Sequence, residues 1–111
     1  MKVNPEEFKN TAELVKSNET YDIYDYKMDR LVISMTVLHP GKETRGHAHN
    51  DIEETYVFLE GRGQMQVGEK PKIEVEPKDI VIIPEGDFHK VFNPGDSDLV
   101  FLAIFEKYER K

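Results

Sequence analysis

The chain has 111 residues, with 15 Lys and Arg against 22 Asp and Glu, a formal net charge of −7, and no cysteine. That length suits one domain with one real core, and the acidic balance argues against nucleic acid, which needs a basic face to release counterions from phosphates, and against anionic membranes. The absence of cysteine excludes disulfides, thiolate metal sites and a cysteine nucleophile.

Taken in order, NPEEFKNTAELVKSN opens the chain. Asn4 can cap a helix, Pro5 suits its first position, and Glu6 and Glu7 complement its dipole. One short helix or two turns should follow, making residues 1–20 a helical extension, with Phe8, Ala12 and Val15 at helical spacing as one apolar stripe against the main body. No basic start followed by an apolar stretch marks a leader, and the apolar run LVFLAIF at 99–105 is far too short to span a bilayer, so the expected location is the cytoplasm.

From Tyr21 the texture changes. YDIYDYKM and LVISMTVLH are rich in β-branched and aromatic residues and read as strands. Turn signals then recur at HPG (39–41), EGRG (60–63), EKP (69–71), EPKD (76–79), PEGD (84–87) and NPGDSD (93–98). Short strands with such punctuation predict an all-β sandwich or barrel over 21–111.

Within this frame GHAHNDIEETYVFLEG carries the chemistry. Residues at i and i+2 of an extended segment share a face, so His47 and His49 point the same way. Glu54 can join them from the next strand with Tyr56 and Phe58 on its side, while Thr55, Val57 and Leu59 face away. His89 begins a later strand with Val91 and Asn93 on its face. Imidazole and carboxylate are the usual donors to divalent transition metals, so these residues are candidate ligands. Glu53 is an alternative to Glu54, which keeps the face of Tyr56. His39, before Pro40 and Gly41, reads as a strand-end residue, and Asn93 as a stabiliser of the NPGD turn. Tyr56 offers a phenol donor beside the site. Apolar residues on both faces of 54–59 and 80–83 call for a cover on the outer face, most simply a second copy of the chain, hence a homodimer.

The run Gly41, five residues, His47, one residue, His49, four residues, Glu54, six residues, Gly61 resembles the first motif of the cupin superfamily; Pro84, one residue, Gly86, two residues, His89, three residues, Asn93 resembles the second. One departure is Lys78, where that family's pattern has a glycine. The resemblance implies a double-stranded β-helix, or jelly roll, with one metal held by His47, His49, Glu54 and His89. The donors do not choose among Mn, Fe, Ni, Co, Zn and Cu.

TRGHAH at 44–49 and ETY at 54–56 are also similar to the cupin-type phosphoglucose isomerases. By that resemblance Thr44 and Gly46 contact phosphate, Glu54 is ligand and proton-transfer group, and Tyr56 touches the sugar; Lys42 and Arg45 are the nearby cations. The implied function is a metal-dependent enzyme on a small polar substrate, with sugar or sugar-phosphate isomerisation leading. A cupin dioxygenase and a non-catalytic metal- or ligand-binding module are the alternatives.

Overall fold

A computed structural model describes residues 1–107. Asn4 opens helix α1 (Pro5–Thr11) with a reciprocal cap, its side chain accepting from the Glu7 N–H at 2.8 Å while Glu7 reaches back to the Asn4 N–H. The short helix expected is present, but it does not carry the apolar stripe on to Val15. It ends at Thr11, and β1 (Glu13–Ser17) follows, paired antiparallel with β2 (Tyr21–Lys27). Pairing along β2 takes the backbone that local spacing assigned to a helix, so Phe8 is buried and Val15 is left exposed. Residues 1–20 are therefore a short helix and a strand, not a helical extension, and the boundary after residue 20 falls between two hydrogen-bonded strands.

The remaining strands are β3 (Leu31–Leu38), β4 (Glu54–Glu60), β5 (Gly63–Val67), β6 (Ile73–Val75), β7 (Ile80–Ile83), β8 (His89–Phe92) and β9 (Leu99–Glu106). Six form one sheet in the order β1-β2-β3-β9-β4-β7, and three form the other, β6-β5-β8. Two bridges, Glu43 with Phe92 and His47 with His89, lay the segment 43–47 along β8. Among the described residues no helix is long and apolar enough to cross a membrane.

The expected alternation holds. Glu54, Tyr56 and Phe58 of β4 are buried, and Thr55, Val57 and Leu59 lie half-buried on the other face. Between the sheets Leu38, Phe58, Met65, Val91, Leu99 and Phe101 form the main core. A second cluster lies on the outer face of the large sheet, where Phe8 of α1 covers Met35, Val37 and Val100.

The glycine slot filled by Lys78 keeps a glycine's backbone. Pro77 and Lys78 are the central residues of a turn closed by the Asp79 N–H on the Glu76 carbonyl at 3.1 Å, and Lys78 has φ +81°. Proline first and a positive φ second is the type II pattern, which favours glycine at the second position. A left-handed non-glycine residue costs about 1–2 kcal/mol, and glycine's extra unfolded entropy returns about 0.5–1. Lys78→Gly is thus expected to stabilise the fold by about 0.5–1 kcal/mol in urea titration; a loss of stability contradicts this account.

Candidate metal centre

His47 and His49 are held by the backbone of both motifs. The His47 N–H donates to the His89 carbonyl at 3.1 Å, and the His89 N–H returns a bond to the His47 carbonyl at 2.9 Å. Gly86, at φ +80°, donates its N–H to the His49 carbonyl at 2.8 Å, so the second motif's glycine fixes the first motif's histidine. Ligand atoms of His47, His49 and Glu54 then lie within 4.8 Å of one another. The His47 ring stands edge-on to both His49 and His89, with centroids 4.5 Å away in each case.

His89 meets this group through Glu54. Its ring centre is 6.3 Å from that of His49, and its Nε2 lies 3.5 Å from Glu54 Oε2, while His49 Nε2 lies 3.7 Å from Oε1. The carboxylate thus sits between two imidazoles. Glu54 and His89 are 5% and 2% exposed, whereas His47 and His49 are open to solvent, so the site is closed at its base and approachable from the histidine pair. Glu53 is exposed and outside the cluster.

A buried polar atom tests whether a metal suits these residues. His89 Nδ1 lies 3.1 Å from the Asp87 carbonyl, which can only accept, so Nδ1 carries the proton and the neutral ring presents a lone pair at Nε2. That Nε2 is buried and, among the described residues, has no hydrogen-bond partner. At 3.5 Å the carboxylate is close enough for charge attraction but does not complete a hydrogen bond. A lone pair facing a carboxylate across a gap is satisfied by a cation, either a proton or a metal. Imidazole and carboxylate donors fit a divalent transition metal.

Titration follows the same competition. Burial lowers the His89 pKa, but the attraction of Glu54 and the Asp87 carbonyl outweigh it, and the net shift is upward from 6.5. His47 is shifted down from 6.5, first by loss of solvent and then by His89 and His49, against a smaller pull from Glu54. In metal-free protein the unfolded chain therefore binds more protons at His47 as pH falls below 6.5, and stability declines on that side. Above 6.5 the fold retains a proton on His89 that the unfolded chain has released, and stability declines there too. Urea unfolding in a chelator is expected to show a maximum near 6.5, losing its acid limb in His47→Ala and its alkaline limb in His89→Ala. Limbs unchanged in both variants would exclude these two groups as the cause.

The other expected residues take definite places. Tyr56 stacks on Phe101 at 5.1 Å and stands edge-on to His89 at 5.6 Å. Burial, and behind it the Glu54 charge, pushes its phenol well above the ordinary range, so it is a proton donor in hydrogen bonds and not a base. Thr44 Oγ1 accepts the Val91 N–H at 2.9 Å and thereby ties the ligand segment to β8. Gly46 has φ +79°, and a Cβ there would come within 2.7 Å of the Phe88 ring. His39 lies outside the site, between Asp98 at 3.3 Å and Asp22 at 3.7 Å. Asn93 accepts the Gly95 N–H, as a turn stabiliser should, and also donates to the carbonyls of Leu38, His39 and Ser97. Asp87 was not foreseen, because its contribution is a backbone carbonyl that residue type cannot reveal.

A two-sheet β-barrel with this histidine and glutamate cluster at its mouth is the architecture of a cupin. The cupin domain family matches residues 34–105, and the chain belongs to that family. Glucose-6-phosphate isomerase of Pyrococcus abyssi is 35% identical over 115 residues, covering 87% of this chain and 61% of that protein. The corresponding enzyme of Thermococcus litoralis is 36% identical over 101 residues, covering 77% and 53%. The chain thus spans a little over half the length of these relatives. A cupin-2 domain from Rhodospirillum rubrum superposes with a TM-score of 0.80 at 22% identity, over 91% of this chain and 73% of that one, a likeness of fold.

Proposed function

We propose that the chain binds one divalent transition metal through His47, His49, Glu54 and His89 and isomerises a small sugar or sugar phosphate. The observation that carries the metal reading is the buried Glu54 carboxylate between His49 and His89, with the unpartnered His89 Nε2 facing it. Similarity to glucose-6-phosphate isomerases over most of the chain supports the reaction. When bound, the metal supplies Lewis acidity and a template for two adjacent substrate oxygens. Glu54 is the group placed to take a proton from the carbon beside the carbonyl and return it to its neighbour. The Tyr56 phenol, held protonated, donates a hydrogen bond, and the opening at His47 and His49 lets the proton in transit exchange with solvent.

Protein purified without affinity nickel, analysed for metal and then loaded in turn with Mn, Fe, Co, Ni and Zn, tests the reading. The expected result is anaerobic aldose–ketose interconversion with solvent deuterium entering the product. Oxygen uptake with no isomerisation would assign a dioxygenase, and no turnover of any kind a binding module.

We further propose that two copies associate. Phe8 and its neighbours cover the outer face of the large sheet over β3 and β9 and reach Leu59 at the end of β4, but among the described residues none from β7 is in that cluster. There Ile80 and Ile82 are 63% and 68% exposed, in register with the half-buried Val57 and Thr55, and β7 is the edge strand. A second copy supplies the matching apolar face.

A further inference from the structure

Beside the histidine and glutamate cluster, two connections enclose a cleft that the metal centre does not use. One runs from β5 to β6 and the other from β7 to β8. Gln66, Glu69 and Lys70 line the cleft from the first side, and Asp87 and Phe88 from the second, around a volume of about 1040 Å³ that opens to solvent. A space of that size is on the scale of sites for small organic ligands. None of His47, His49, Glu54 and His89 lines it.

The walls are pinned by backbone bonds. The Gly68 N–H donates to the Phe88 carbonyl at 2.7 Å and ties the two loops together, while the Gly86 N–H bonds the His49 carbonyl at 2.8 Å and the Asp87 carbonyl lies 3.1 Å from His89 Nδ1. The Phe88 ring is 39% exposed and seated beside Gly46, where a side chain would collide with it. A single exposed aromatic is ordinary, since much of any protein surface is apolar. This one forms the wall of a cleft and is held before a ligand arrives, which lowers the ordering cost of binding.

The polar groups around the ring decide what fits. Asp87 and Glu69 accept hydrogen bonds, Lys70 donates, and Gln66 can do both, its amide steadied by a bond from Nε2 to the Gly68 carbonyl at 3.4 Å. Asp87 lies opposite Gly68, with Oδ2 3.6 Å from where a Cβ would stand, so the missing side chain leaves room at the carboxylate. A cation needs acceptors alone and a phosphate needs donors, whereas adjacent hydroxyls need both. Two carboxylates against one amine also leave the lining net negative, which opposes an anion. The C–H face of a sugar ring, weakly positive, packs on the negative face of an aromatic ring.

We propose that this cleft binds a neutral sugar, stacked on Phe88 and hydrogen-bonded through its hydroxyls to Asp87, Glu69, Gln66 and Lys70, at a site separate from the metal centre. Such a site stands whether or not the metal centre turns over a sugar. The bound ring rests against the same backbone that positions His49 and His89.

The test is an amide chemical-shift titration of the full chain, loaded with diamagnetic zinc, using glucose, maltose and glucose 6-phosphate. The amides of Gly68, Gly86 and Phe88 are expected to shift together and to saturate with glucose or maltose, and at higher concentration with the phosphate. Phe88→Leu keeps an apolar contact beside Gly46 but loses the aromatic face, and Asp87→Asn keeps the backbone carbonyl but loses the charge. Each is expected to weaken sugar binding about five- to tenfold, with the rest of the amide spectrum in place to show an intact fold; either variant suffices where the other does not fold. Shifts confined to the neighbourhood of His47, His49 and Glu54, the absence of any saturable shift, unchanged affinity in the folded variants, or tighter binding of the phosphate overturns the inference.

Discussion

Alanine at His49 or at His89 is expected to lower metal affinity by more than about a hundredfold, since even the partners that orient a ligand cost 10- to 100-fold when removed. His39→Ala is the matched control. It removes an imidazole that also lies near two carboxylates, Asp22 and Asp98, but away from the cluster, and metal affinity should not change. The two ligand variants differ in metal-free protein. His49 is 40% exposed, so its loss is tolerated, whereas His89 is 2% exposed and its removal leaves a buried Glu54 without its nearest countercharge. Breaking a buried pair by removing one partner costs about 3–5 kcal/mol, so His89→Ala should also unfold at lower urea while His49→Ala should not. Circular dichroism beside metal titration separates the effects. Equal metal loss in all three variants, or full occupancy in a His49→Ala, His89→Ala double variant, would refute the assignment.

The cluster was legible because its geometry is local. Two histidines at i and i+2 must share a face, and the phase of β4 follows from the alternation of Glu54, Tyr56 and Phe58 with Thr55, Val57 and Leu59, which the burial repeats. The fold was legible for a similar reason, since its turns are written in glycine, proline and aspartate. What was not legible depends on register between distant strands. Val15 continues a helical stripe on paper, but β2 captures its backbone, a long-range event with no local signal. Asp25 is an ordinary acid among the polar residues of YDIYDYK until its pairing with Ser34 and Glu13 places it on the inner face. Lys78 shows the reverse case, a departure in residue type that leaves the backbone conformation in place. Thr44 and Gly46 also have structural contacts, with the Val91 N–H and beside the Phe88 ring, that residue type alone did not reveal.

Ile80→Lys combined with Ile82→Lys is expected to convert a dimer into a folded monomer. Both side chains point away from the main core and are largely exposed in the single chain, so lysine there costs the protomer little. In a two-fold interface each substitution acts twice, because the same patch is presented by both copies. Four isoleucines at about 1.5 kcal/mol each amount to roughly 6 kcal/mol of lost burial, about four decades in Kd, and four lysines brought together add repulsion. β7 is also the sheet edge, where lysine is a natural block to strand pairing. Val57→Ser, half-buried beside Ile80, should weaken association by a smaller step, since it keeps both isoleucines. Sedimentation across a range of concentrations reads the result, with unchanged circular dichroism showing that the protomer is intact. Monomeric wild type at micromolar concentration, or a double variant that associates as tightly as wild type, would show that this face is not where the copies meet.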